Sequence, residues 1–115
     1  MKSNIVKDKS FEFSLKIILL FKMMQDQKEF IISKQILRSG TSIGANIAES
    51  EAAQSRIDFV HKLSIASKEA RETVYWLQLL DKSELVNIEV NTHIKDCEEI
   101  IRLLTSIIKT IKSKL

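Results

Sequence analysis

From Val90 to Leu115 one spacing governs the apolar residues. Val90, Ile94, Cys97, Ile101, Leu104, Ile108, Ile111 and Leu115 alternate steps of four and three. Such a heptad seam keeps one stripe of a helix turned toward a neighbour, whereas a strand would need alternation every second residue. Ile100, Leu103 and Ile107 add a second stripe and widen the apolar face. A face of that width has to be covered by other elements.

The rest of the chain offers matching cover. Phe59, Leu63, Ala66, Ala70, Thr73, Leu77 and Leu80 keep the same alternation, with Ser55 placed as an N-cap and "LDKSELVN" as the following loop. An earlier segment, from about Ser10 to Gln25, carries Phe13, Ile17, Leu20 and Met24 on one seam. Ile18, Leu19 and Phe21 make it apolar on nearly every side, which predicts burial by more than one neighbour. "QDQKEF" breaks that pattern, and a further helix is predicted from the N-cap Ser33 to about Ala52. With 44% hydrophobic residues, no proline and two glycines in 115 residues, the composition is helical. The expectation is all-α: one antiparallel up-down-up-down four-helix-bundle domain over residues 1–115.

Both glycines fall in "RSGTSIGANIAES", Arg38 to Ser50. Ile36, Ile43 and Ile47 share one helical face, and Gly40, Gly44, Ala48 and Ala52 recur every fourth residue beside it. Four-residue steps drift only about 40° on a helix, so the small residues form a shallow groove. A mid-helix glycine costs about 1 kcal/mol against alanine, and a close helix contact is the compensation. A phosphate loop would need GxxxxGK[ST] after a strand, and "GTSIGAN" has neither the lysine nor the spacing. Gly40, Gly44 and Ala48 are therefore read as helix-packing residues.

Little in the chain suggests catalysis. His61 and His93 stand apart, outside any HExxH or Glu-x-x-His pattern. Cys97 lies on the heptad seam, where a thiol behaves as a small buried hydrophobe. Glu49/Glu51 and Glu98/Glu99 lack aligned histidines and read as solvated faces. No catalytic residue, metal site or cofactor is expected, and the chain is read as non-enzymatic. A single cysteine suits a reducing cytoplasm, "MKSNIVKDKSFEF" lacks the features of a signal peptide, and "IILLF" is too short to span a bilayer. A soluble cytoplasmic protein without a membrane partner is expected.

Two surface features exceed a plain bundle. On the third helix His61, Glu72, Trp76 and Leu79 fall within about 40° of Ile65, far from the seam, and the five are read as a self-association surface. At the C-terminal end no acid follows Glu99, while Lys95, Arg102 and Lys109 are seven apart and Lys112 follows. Cations there complement the helix dipole. Repeated around an oligomer, they would also bind RNA or DNA through its backbone, with little sequence preference. The formal charge of +3 is compatible with this without demanding it. The rival is a scaffold that organises an unidentified protein partner and touches no nucleic acid.

The stretch "LRSGTSIGANIAESEAAQSRIDFVHKLSIASKEARETVYWLQLL", Leu37 to Leu80, closely resembles the four helix bundle protein family. This is also called the 23S ribosomal RNA intervening-sequence protein family, some members being encoded within insertions in that RNA gene. "RSGTSIGAN" followed by "KEARETVYWL" carries the resemblance, and the outer helices match in pattern and length. It implies an antiparallel four-helix bundle and a ring-shaped homo-oligomer, a pentamer in related proteins. A related branch serves reverse transcriptases as an accessory subunit whose positively charged ring binds nucleic acid. The resemblance carries over no catalytic residue. Where many relatives have proline after "SI" this chain has Gly44, and Ser50 replaces the glycine after "AE". Both departures mark a separate subgroup.

Overall fold

The computed structural model describes residues 2–115, with side chains from Asn4 onward. Four helices follow in order, α1 (Lys2–Asp26), α2 (Ile32–Ser50), α3 (Arg56–Ser83) and α4 (Asn91–Lys112). No strand occurs among the described residues. Contacts join α1 to α2, α2 to α3, α3 to α4 and α4 back to α1, a square of antiparallel neighbours. The all-α, up-down-up-down bundle expected from the sequence is what the chain forms.

Helix α1 starts earlier than its apolar seam announced. Val6 and Ser10 are buried and extend Phe13, Ile17, Leu20 and Met24 backward in the same four-three rhythm. Ser10 hides the pattern in the sequence because it is polar; its hydroxyl donates to the Lys7 carbonyl at 3.0 Å, which satisfies it inside the seam. The expected burial of Ile18 and Leu19 is corrected. Both are exposed in the single chain, and Phe21 is half-buried. Two neighbouring helices cover only one side of α1, so its opposite side keeps its apolar residues in solvent.

Helix α2 also begins differently from the prediction. Ser33 is not the N-cap; it is buried in the first turn, where it accepts from the Gln25 side chain and donates to the Glu29 carbonyl, each at 2.8 Å. The capping is done by Glu29, whose carboxylate accepts from the backbone N–H groups of Ile31, Ile32 and Ser33 at 3.2, 3.1 and 2.7 Å. A carboxylate there also complements the helix dipole. The helix ends at Ser50, leaving Ala52 in the turn. Ser55 caps α3 as expected, accepting from the Asp58 N–H at 3.0 Å.

The interior is a stack of apolar side chains in which Ile17, Leu20, Met24, Ile36, Ile43, Ala66, Ala70, Leu77, Cys97 and Leu104 are fully enclosed. On α3 Val60 rather than Phe59 opens the buried seam, and Phe59 packs against its edge. On α4 the enclosed residues are Cys97, Ile100, Leu104 and Ile107, with Val90 buried just before the helix. Ile94, Ile101, Ile108 and Ile111 are half-buried, and Leu115 lies beyond the helix. The core face of α4 is thus rotated from the counted seam toward the second stripe, because the helix must face both α3 and α1.

Two turns at one end are tied together. The Gln27 carboxamide donates to the Asn87 carbonyl at 3.2 Å and accepts from its N–H at 2.7 Å.

Candidate nucleic-acid interface

The glycines define where α1 and α2 approach. A methyl group on Gly40 would stand 3.0 Å from both Cγ atoms of Ile17, and one on Gly44 would stand 3.3 Å from the Ser10 carbonyl oxygen. Ala48, read from the sequence as part of the same packing, is exposed. Beside this contact a furrow of about 560 Å³ is lined by Phe11, Ile18, Thr41, Gly44, Ala45 and Ala48.

The helix 3 stripe is split by its surroundings. Ile65, Glu72 and Trp76 are half-buried on the α2 side, while His61 and Leu79 remain exposed. The Trp76 indole N–H donates to Glu72 at 2.9 Å, and Glu72 is also paired with Arg38 of α2. The Trp76 hydrogen bond, with Arg38 beside it, holds the Glu72 carboxyl below the usual carboxylate range. Trp76 therefore packs against the core edge and has its polar atom satisfied within the chain. The reading of an exposed tryptophan is corrected. Tyr75, edge-on to it at 5.2 Å, is the more exposed ring.

Charges sort by seam. Lys7–Glu51 joins the α1 and α2 side, Lys9–Glu99 and Lys16–Asp96 join α1 to α4, and Arg38–Glu69, Arg38–Glu72 and Lys62–Glu49 join α2 to α3. None of the ion pairs among the described residues crosses from α3 to α4. Lys95, Arg102, Lys109 and Lys112 are all exposed on α4 and belong to none of those pairs. Beside them α3 contributes Lys68 and Arg71, also exposed. Arg71 and Arg102 line one furrow of about 390 Å³ with Val74, Glu98 and Ile101. Lys68 and Arg71 line a second, of about 310 Å³, with Ser64, Ser67 and Ile108.

Lys68 and Arg71 were missed in the sequence. For Arg71 the signal was there: Ser67, Arg71 and Val74 repeat the four-three spacing along one flank of α3. The result is a strip of guanidinium and ammonium groups with Glu98 as the acid beside it. Such a strip can neutralise successive phosphates, and guanidinium groups bind them in bidentate fashion.

The groups that could do chemistry are dispersed. The Cys97 thiol donates to the Ala70 carbonyl at 3.3 Å, and burial pushes it up to about 12. Burial, with Lys16 nearby, holds the His93 imidazole below its ordinary value, and its Nδ1 is buried without a partner. Among the described residues no group of three His, Cys, Asp or Glu could hold a metal ion. No helix there is long and apolar enough to cross a membrane.

The 23S rRNA-intervening sequence protein model matches residues 2–106. The chain belongs to the 23S rRNA-intervening sequence protein family. A crystal structure from the S23 ribosomal protein family, a protein of unknown function from Bacteroides thetaiotaomicron, is similar to it throughout. The two share 58% identity over 95% of this chain and 99% of that one, with a TM-score of 0.90. No curated protein matches the chain. The four-helix bundle is therefore a fold that this chain shares with that structure over nearly its whole length.

Proposed function

We propose that the chain is a non-enzymatic, homo-oligomeric member of its family that binds RNA or DNA through the α3–α4 face. The observation that carries this reading is the uneven pairing of charge. Acids neutralise cations on the other seams, while Arg71, Arg102, Lys95, Lys109 and Lys112 stay free of the ion pairs found among the described residues. Binding through such groups displaces condensed counterions, so it is backbone-directed and weakly selective for sequence. Dispersed histidines and an enclosed thiol support a role without catalysis. A free cysteine fits a reducing cytoplasm.

The test is a filter-binding titration of a structured RNA from about 50 to 200 mM salt. Replacing Arg71, Arg102, Lys109 and Lys112 together by Gln is expected to flatten the slope of log affinity against log salt by about 3, at about 0.7–0.9 per lost phosphate contact. Gln keeps helix propensity nearly constant, and circular dichroism should be unchanged. No affinity at the low-salt end, or a slope that survives the four substitutions, overturns the reading. The alternative, a scaffold for another protein, would then stand.

A further inference from the structure

One exposed ring lies inside the basic strip. Tyr75 on α3 is 57% exposed, with Lys68 seven residues before it and Lys82 seven after. Seven residues make nearly two turns, so the three share one line along the helix at steps of about 10 Å. Arg71, one turn before Tyr75, joins this line to Arg102 of α4 through the furrow that both arginines border. Lys68, Arg71 and Lys82 are exposed and belong to none of the ion pairs among the described residues.

The ring is also braced. It meets Trp76 edge-on, with centroids 5.2 Å apart and planes at 71°. Trp76 is in turn held by its hydrogen bond to Glu72 at 2.9 Å, and Glu72 by Arg38 of α2. Glu72, the acid nearest to Tyr75 along the helix, thus has its charge taken up by Arg38. The exposed phenylalanines lack such surroundings. Phe11 shares its furrow with Asp8, with Glu12 and with a Lys7 already paired to Glu51, and Phe30 directly follows Glu29.

We infer, on the basis of the proposed nucleic-acid binding, that Tyr75 is a stacking platform for an unpaired base, and that this face takes single-stranded RNA or DNA. Phosphates of a duplex would satisfy the cations equally well. A duplex, however, keeps the faces of its bases stacked inside and offers a side chain only groove edges and backbone. An exposed ring in a row of cations adds nothing there. A single strand can lay one base on it while its phosphates follow Lys68, Arg71 and Lys82. Stacking tolerates any base, in keeping with weak sequence preference.

The test compares oligo(U), oligo(dT) and a duplex of the same length, about 16 nucleotides, at about 50 mM salt. Tyr75→Ala should weaken single-strand binding about tenfold or more and leave duplex binding unchanged. Its salt slope should stay at the wild-type value, since tyrosine neutralises no phosphate, and Tyr75→Phe should bind like wild type. A loss with either single strand supports the stack, and the larger loss shows which sugar the face takes. The chain has a single tryptophan, beside Tyr75, so a base laid on the platform should quench Trp76 emission, whereas the duplex should not. Tyr75 is exposed, so both variants should keep wild-type circular dichroism and the same mass by light scattering. A Tyr75→Ala protein that binds single strands as well as wild type, that loses single strand and duplex alike, or whose mass falls, overturns the stacking platform while the basic strip stands. A wild type that binds neither single strand nor duplex at low salt overturns the nucleic-acid reading itself, and the platform with it.

Discussion

Ile17 and Gly40 decide how close α1 and α2 can come. Ile17 is fully buried and β-branched, so its Cγ atoms cannot swing away from an added methyl group. Gly40→Ala gains about 1 kcal/mol of helix propensity but overpacks a contact at 3.0 Å, at a cost of about 1–3 kcal/mol. The substitution is expected to lower the melting temperature. In an Ile17→Ala background the clash disappears, and the same change should raise it. Thermal unfolding of the four variants measures this coupling; equal effects in both backgrounds would mean that Gly40 faces no such wall. Gly44→Ala meets a hydroxyl that can turn, Ser14 Oγ at 3.2 Å, as well as the Ser10 carbonyl, so it should be the milder change.

Among the elements, α2 shows what a local cap contributes and why it was hard to see. One carboxylate satisfies three N–H groups that no intrahelical carbonyl can reach. Glu29→Ala should cost about 1–2 kcal/mol, read as a lower urea midpoint with an unchanged slope; an unchanged midpoint would show that water caps the helix equally well. Serine before an apolar run is the usual cap signal, so Ser33 drew the prediction away from a glutamate lodged in a broken pattern. Helix seams were legible because they repeat: Leu63, Ala66, Ala70, Thr73, Leu77 and Leu80 are buried as their spacing demands. Rotation of a seam was not. Ile100 and Ile107 displace Ile101 and Ile108 from the core because α4 answers to two partners, a tertiary fact that periodicity cannot carry. The same holds for the interface. The α4 cations were plain in the sequence, whereas the joining of Arg71 to Arg102 needed the packing of α3 on α4.

At the scale of the molecule the bundle has two unlike ends. The turn after α1 and the loop before α4 share the paired bonds of Gln27 and Asn87, sixty residues apart. At the other end Arg56 reaches the Lys114 carbonyl at 3.4 Å, and Lys7 meets Glu51 in solvent at 2.8 Å, a contact worth little when exposed. Thermal motion should therefore open the helices like tongs hinged at the Gln27 end. Amide hydrogen exchange is expected to be fastest near Lys7, Glu51 and Lys112 and to slow steadily toward Met24 and Leu80, with opening free energies rising along the long axis. Gln27→Ala should erase that gradient by releasing the hinge, and a profile already uniform in the wild type would show that both ends open alike. A bundle that breathes from one end presents its small-residue furrow and the C-terminal cations in its loosest half, so the surfaces best placed to reshape around a partner are those farthest from the clasp.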